Sequence, residues 1–329
     1  MEKKTVSIVC AVHNEELAIP LFYDRLSKVI NALNYNFEII FTNNRSTDST
    51  LDVIQKIIEK DPRVRVLTLS RNFGYQCSLQ AGMTYASGDC LIAIDVDCED
   101  PPELIPEFLS RWEDGHDIVY GIRRNRPESK YLTSMRNLFY RILKFTADSN
   151  IILNMAEFGL IAQYVRNDIL NNSNTFPFLR TEIAYVGYNA FGVEYDRQQR
   201  IAGKTHYNFL RMFVFAVAGI LTSSTFPFRL AAMIFPVGLL LNIVLFVCDI
   251  IYGNGYFFKM LLVMDILYIT LLITLNGIYI ARIYKNGLNR PLFVVDWKLS
   301  TRSLRLASPN LRQNLGATVR TLDQTFTDQ

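Results

Sequence analysis

The sequence predicts an α/β protein, a mostly parallel sheet with helices on both faces, followed by a C-terminal pair of membrane-spanning helices. Three observations predict it. Short apolar, β-branched runs alternate with segments of helical period through the first two hundred residues; a polar cluster follows several of those runs; and no charged residue occurs from Leu230 to Val247 or from Ile266 to Ala281. Alternation of strand and helix is the signature of a parallel sheet covered on both sides.

Taken in order, the strands are TVSIVCAV (5–12), FEIIFT (37–42), VRVLTL (64–69), CLIAID (90–95) and DIVYG (117–121). Between them, Glu16 to Leu33 and Thr50 to Lys60 read as helices, the second with Leu51, Ile54, Ile57 and Ile58 on one face. Asn14, and Asp48 or Ser49, are residue types that cap such helices. Pro101, Pro102 and Glu103 start a further helix through Leu109 and Trp112.

The two charge-free stretches, extended by their flanks, reach the ~20 residues that a bilayer core requires, giving spans at about 230–252 and 257–281 joined by a turn at GNG. Buried helices of a large soluble core are the competing reading. Arg211 and Arg229 precede the first span, and Arg282, Lys285, Arg290 and Lys298 follow the second, while the turn has only Lys259 at its edge. That asymmetry places both ends, and the N-terminal part, in the cytoplasm. The resulting division is a cytoplasmic domain over 1–206, an interfacial amphipathic segment over 207–228, the hairpin over 229–282 and a cytoplasmic tail over 283–329, polar and expected to be flexible after Lys298. Asp249 and Asp265 are costly in lipid and need partners, for which Asn242 and Asn276 are candidates.

The start MEKKTVSIV enters a strand directly, so no secretory signal is expected. Cys10, Cys77, Cys90, Cys98 and Cys248 show no paired or metal-type spacing and read as free thiols, mostly buried. A net charge of +3 over 329 residues gives no footprint for nucleic acid.

In parallel sheets, ligands bind beyond the carboxyl ends of the strands. HNEE (13–16), NNRSTD (43–48) and DVDCED (95–100) fall there. On an extended backbone Asp95, Asp97 and Glu99 would point to one side and converge on a hard cation, Mg2+ or Mn2+, with substrate phosphates completing its shell. A solvated acidic turn before a helix is the bland alternative. Neither a P-loop nor a dinucleotide fingerprint is present.

SIVCAVHNEE, EIIFTNNRSTDST, DPRVRVLTLSRNFGYQCSLQAG, ASGDCLIAIDVDCEDPPELIPE, YDRQQRIAGKTHY and NRPLFVV follow one another in an order that resembles the family 2 glycosyltransferases acting on polyprenyl phosphate, including the two-helix hairpin of their bacterial undecaprenyl-phosphate branch. The resemblance covers residues 5 to about 296. It implies a GT-A fold, a nucleotide-sugar donor of the UDP type, and inverting transfer to polyprenyl (undecaprenyl) phosphate at the cytoplasmic membrane face for cell-envelope glycans. It also implies assembly as a homo-oligomer.

Carried over by position, Ala11, His13, Glu15, Asn43, Asn44, Ser46 and Asp95 would bind the donor, and Asp97 and Glu99 the metal. Asp97 and Glu157 would be catalytic. Arg123, Arg200, Lys204 and His206 would meet the acceptor phosphate. The basic stretch Arg123, Arg124, Arg126, Lys130, Arg136 and Arg141 suits that phosphate, anionic headgroups or a plain solvated surface.

Departures bear on substrate. Asn43, Asn44 and Arg45 stand where the family has Asp-Asp-Gly, His13 for Tyr, Ala11 for Pro, Glu157 for Asp, Gly159 for Arg and His206 for Lys. His13 reads as a stacking or packing residue rather than a titrating one. A binding subunit that has lost turnover, or a lipid transporter or scaffold, are the other functional classes.

Overall fold

Residues 3–124, 155–171, 178–202, 224–253, 255–288 and 290–306 are described by this computed structural model. The strands form where the β-branched runs predict them: β1 (Thr5–Val12), β2 (Asn36–Asn43), β3 (Val64–Thr68), β4 (Cys90–Ala93) and β5 (Ile118–Arg123). Two further strands, β6 (Met155–Ala162) and β7 (Ala190–Tyr195), lie outside the runs expected to be strands. The seven strands lie in the order β3-β2-β1-β4-β6-β5-β7, with β6 antiparallel to both of its neighbours and every other pair parallel.

The helices are α1 (Ala18–Asn31), α2 (Thr50–Ile58), α3 (Tyr75–Tyr85), α4 (Ile105–Glu113), α5 (Gln163–Leu170) and α6 (Leu179–Val186). Strand alternation sorts side chains between the two faces. Val6, Ile8 and Cys10 of β1 pack with Phe22 and Leu26 of α1, Ile54 of α2 and Phe108 of α4, while Val9 faces Leu79 and Met83 of α3 together with Val165 of α5 and Ile183 of α6. With both faces covered, the parallel strands are mostly apolar, as the runs in the sequence suggested, and among the polar exceptions Ser7 and Arg65 both bond Glu38 across β1 to β3. Helix α3 lies especially close: a methyl group on Gly82 would collide with Val9 and Thr42.

Of the expected helix caps, that of α1 differs, and at α2 it is Asp48 rather than Ser49 that bonds the first amide. Helix α1 begins after Leu17 rather than Asn14, whose backbone is left-handed, and Ser49 precedes α2 without a side-chain capping bond, the Thr50 amide being taken by Asp48 Oδ1 at 3.1 Å.

After the domain come α7 (Phe226–Tyr252) and α8 (Tyr256–Gly287), each long and apolar enough to cross a membrane. At 1.5 Å per residue they measure roughly 40 and 48 Å. Core helices of a soluble protein would be covered, whereas 11% of the most apolar window of α7 and none of that of α8 is buried. The two helices hold each other through polar contacts: Asn242 Nδ2 donates to Asp265 Oδ1 at 2.7 Å, Tyr268 Oη to the Ala231 carbonyl at 2.9 Å, and Tyr279 Oη to the Ser224 carbonyl at 2.7 Å. Asn242 is thus the partner of Asp265; Asp249 instead accepts the Phe258 amide at the turn, and Asn276 bonds the carbonyl of Leu272 in its own helix.

Beyond α8 the chain departs from the flexible tail expected after Lys298. It returns to the sheet and runs along the free edge of β3. Ser70 N donates to Val294 O (2.8 Å), Asp296 N to Thr68 O (2.8 Å) and Thr301 N to Val66 O (2.8 Å), while the hydroxyls of Thr301 and Ser300 accept the amides of Val66 and Thr68. Trp297 packs edge-on against Tyr85, and Leu304 of the short helix α9 (Arg302–Leu306) is fully buried. An edge strand exposes unpaired backbone groups, and this segment covers them. Residues 307–329, and residues 207–223 of the interfacial segment proposed for 207–228, lie outside the described residues, and the end of that segment already belongs to α7.

Candidate active site

Three loops leave the carboxyl ends of β1, β2 and β4, and each contains one residue with positive φ: Asn14 (57°), Arg45 (57°) and Cys98 (56°). Among the described residues these are the only such positions apart from glycines. Left-handed backbone is uncommon for side chains like those of Arg and Cys and collects where function constrains the chain.

The first two loops clasp each other. The Asn14 amide donates to Ser46 Oγ (3.0 Å), that of Thr47 to Asn14 Oδ1 (2.8 Å), that of Glu15 to Thr50 Oγ1 (2.8 Å) and that of Ser49 to Glu16 Oε2 (2.9 Å). The two asparagines are buried and occupied within this frame. Asn43 Oδ1 accepts the Ser46 amide at 2.9 Å; Asn44 Oδ1 accepts from Phe73 N at 2.9 Å while its Nδ2 donates to Asn72 at 3.0 Å. His13 fits between them as the neutral tautomer that donates from Nδ1 to the Asn44 carbonyl (3.1 Å) and accepts at Nε2 from Asn72 (3.3 Å). Of the residues expected at the donor, Asn43, Asn44, Ser46 and His13 therefore shape the loops by internal bonds, and Ala11 sits half-buried near the end of β1.

In the acidic loop the extended-strand expectation fails. Strand β4 ends at Ala93, and the left-handed Cys98, together with a turn in which Glu99 N bonds Asp97 Oδ1 at 3.0 Å, folds the backbone back. The carboxylates consequently separate by partner. Asp95 accepts the Tyr75 hydroxyl at 2.7 Å from the start of α3. Asp97 lies 3.5 Å from Arg200, which also bonds Glu15 at 2.9 Å and so ties the first loop to the third. Glu99 pairs with Arg197. Asp100 turns inward, 1% exposed, where Arg123 grips it through Nε (2.9 Å) and Nη2 (2.6 Å) and the Tyr195 hydroxyl completes the shell.

Arg123, assigned by position to acceptor phosphate, is thus an ion-pair partner of a buried acid. Glu157 on β6 accepts from Gln76 Nε2 at 2.9 Å, with Arg180 Nε 3.6 Å away; its Oε2 is buried and has no hydrogen-bond partner among the described residues. Lys204 and His206 lie outside the described residues.

Charge crowding shows in the protonation of the group. Burial, reinforced by Asp97, Asp100 and Glu157, pushes the Asp95 carboxyl up to about 7 against the pull of the Tyr75 hydroxyl. Burial, with Asp95 and Glu157 beside it, raises the Tyr75 phenol well above its usual range, so it stays a donor. Glu99 is raised by burial and by Asp97, opposed by Arg197, Arg123 and Arg200.

No three His, Cys, Asp or Glu side chains among the described residues converge closely enough to hold an ion alone. Two hard carboxylates, Asp97 and Glu99, neutralised here by arginines, nonetheless suit Mg2+ or Mn2+, which bind through one or two carboxylates plus phosphate oxygens. Tyr75, Gln76, Arg180 and Arg197 were not singled out from the sequence. Their partners are 20 to 103 positions away, and only the fold brings them to the cleft.

The model described as "Glycosyl transferase family 2" matches residues 7–185. An uncharacterized glycosyltransferase, YkcC, of Bacillus subtilis is 34% identical over 91% of this chain and 96% of its own length. A prophage bactoprenol glucosyl transferase homolog of Escherichia coli is 33% identical over 88% of this chain and 98% of its own. Among solved structures, a glucosyl-3-phosphoglycerate synthase from Mycobacterium tuberculosis superposes with a TM-score of 0.49 at 17% identity, over 67% of this chain and 80% of that one.

Proposed function

The chain belongs to glycosyl transferase family 2, and from that membership we propose that it transfers a sugar from a UDP-sugar, with inversion, to polyprenyl phosphate at the cytoplasmic face of a membrane. The observation that carries this reading is one juxtaposition: a cleft of clustered carboxylates at the strand ends, with Glu157 Oε2 left unpartnered among the described residues, on a chain that also bears two long uncovered apolar helices. The 33% identity to the bactoprenol glucosyl transferase homolog of Escherichia coli, over nearly the whole length of that protein, supports the lipid acceptor.

Glu15 and the interlocked loops after β1 and β2 frame the nucleoside. Asp97 and Glu99 are the residues that would hold a divalent ion against the diphosphate. Such an ion supplies charge stabilisation to the leaving group, worth several kcal/mol in comparable sites. Arg197 and Arg200, paired here with those carboxylates, are placed to transfer their hydrogen bonds to phosphate oxygens, which guanidinium groups bind bidentately.

The acceptor is an easy nucleophile. A phosphate monoester has a second pKa near ~6, so near neutral pH its oxygen is largely anionic and needs aligning more than deprotonating. That oxygen attacks the anomeric carbon from the face opposite the diphosphate, which departs with the electron pair of the broken C–O bond. Glu157, steadied on Oε1 by Gln76, keeps Oε2 available to orient the acceptor or to take a residual proton. Tyr75 holds Asp95 at the floor of the cleft.

The test is radiolabel transfer from a panel of UDP-, GDP- and CDP-sugars into organic-extractable lipid. Membranes containing the protein are supplied with undecaprenyl phosphate and Mg2+ or Mn2+, beside an Asp97→Ala control. Label from one UDP-sugar, lost in the control, is the expected result. A folded protein that binds nucleotide and labels nothing would overturn the enzyme in favour of a binding subunit.

A further inference from the structure

The segment that follows the hairpin covers a sheet edge and also reaches the loops of the cleft. Asp296 Oδ2 accepts from Arg45 Nη1 at 3.0 Å, and Arg45 is the left-handed residue of the loop after β2. One residue pair away, Ser70 N bonds Val294 O, which anchors the start of the β3–α3 loop; that loop carries Phe73, whose amide in turn bonds Asn44. The anchor itself is firm, since Asp296 N bonds Thr68 O, Asp296 Oδ1 accepts Lys298 N (3.1 Å) and the Asp296 carbonyl accepts Ser300 Oγ (2.7 Å).

Arg45 gains nothing from its own backbone, because a residue with a Cβ is disfavoured at φ 57°. An external partner is what the conformation needs.

We propose that Asp296 is a positioning residue for the nucleotide site: through Arg45 it holds the 43–48 loop in its binding shape, so that the chain emerging from the hairpin sets the geometry of the cleft. This rests on the reading of that loop as part of the donor pocket. The pair is half-exposed, with side-chain exposures of 45% for Arg45 and 27% for Asp296. Such pairs add little to global stability, so the positioning effect is separable from folding.

The experiment compares Asp296→Asn, Arg45→Ala and the exchanged pair Arg45→Asp/Asp296→Arg in the full-length protein in detergent. Asp is at ease in left-handed backbone, so the exchange is tolerated at position 45. Two readouts are taken: the donor KM against kcat, and hydrogen exchange at the amides of Ser46 and Thr47, which bond Asn43 and Asn14. Each single variant is expected to raise the donor KM about two- to fivefold, the size of an exposed pair, with a smaller change in kcat. Ser46 and Thr47 should exchange faster by a similar factor, and the exchanged pair should restore both readouts.

A purely structural role would instead lower the melting temperature and leave KM and these two amides alone, and that result overturns the proposal. Single-variant effects that the exchanged pair does not reverse overturn it as well. Should no donor be turned over at all, the function proposed above fails separately, and amide exchange still decides the role of Asp296.

Discussion

Glu38, Asp61 and Asp100 are buried by the same domain that carries Asp95 and Glu157, yet the two sets are served differently. Each of the first three has one arginine and at least one hydroxyl: Arg65 with Ser7 and Ser87 for Glu38, Arg63 with Tyr23 for Asp61, Arg123 with Tyr195 for Asp100. In the cleft, Asp95 has the Tyr75 hydroxyl alone among the described residues, and one oxygen of Glu157 has nothing. A buried carboxylate left short of partners costs stability, and in the proposed function the missing partner is supplied by the substrate. Under the proposed function, the fully paired acids serve the fold, while Asp95 and Glu157 are left for the substrate to complete.

The sharpest way to break this contrast is Asp95→Asn. Transfer is expected to fall a hundredfold or more, as for the loss of other well-placed site groups, while the thermal midpoint of the ligand-free protein stays level or rises. A lowered midpoint would put Asp95 with the structural acids. Next in size is Asp100→Ala, which strands the Arg123 guanidinium and should cost about 3–5 kcal/mol in denaturant unfolding. A loss below about 1 kcal/mol would show that the buried pair is dispensable.

Smallest is the acid dependence of Asp61. Burial would raise its carboxyl, but the Arg63 guanidinium, the Tyr23 hydroxyl and the Arg63 amide outweigh it and lower the group to about 2. A depressed acid contributes stability above its unfolded value, near pH 4, and loses it as pH falls towards about 2. Relative to Asp61→Asn, the parent should lose about 1–2 kcal/mol across that window, with solvent screening taken into account. Parallel pH profiles for the two proteins would remove Asp61 from the paired set.

The same contrast explains what could be read in advance. Strands β1 to β5 and helices α1 and α2 announce themselves because a half-buried helix or a fully buried strand leaves a pattern. Helix α3 leaves none: seven residues, from Ser78 to Met83 together with Tyr85, are buried, so no polar stripe marks its period. The three polar clusters were legible as a strand-end site, since turn chemistry and strand ends are local. Which acid in DVDCED binds substrate and which holds the fold was not, because Asp100 is sorted from its neighbours by Arg123 and Tyr195, 23 and 95 positions on. Asn242 and Asn276 were legible as candidate partners for the two membrane acids, but which acid each would serve was not: Asn242 meets Asp265, whereas Asn276 bonds within its own helix.

The return of the chain to the β3 edge has a consequence for encounter with substrate. From Gly287, where α8 ends, to Val294, already bonded to Ser70, is a step of seven residues (294 − 287). Fully stretched, that leash measures at most about 25 Å. In the membrane-bound reading, the cleft cannot wander through bulk solution and sample the bilayer by chance. It patrols a thin shell above the surface, where a lipid confined to two dimensions meets it at a local concentration that no freely diffusing domain would see.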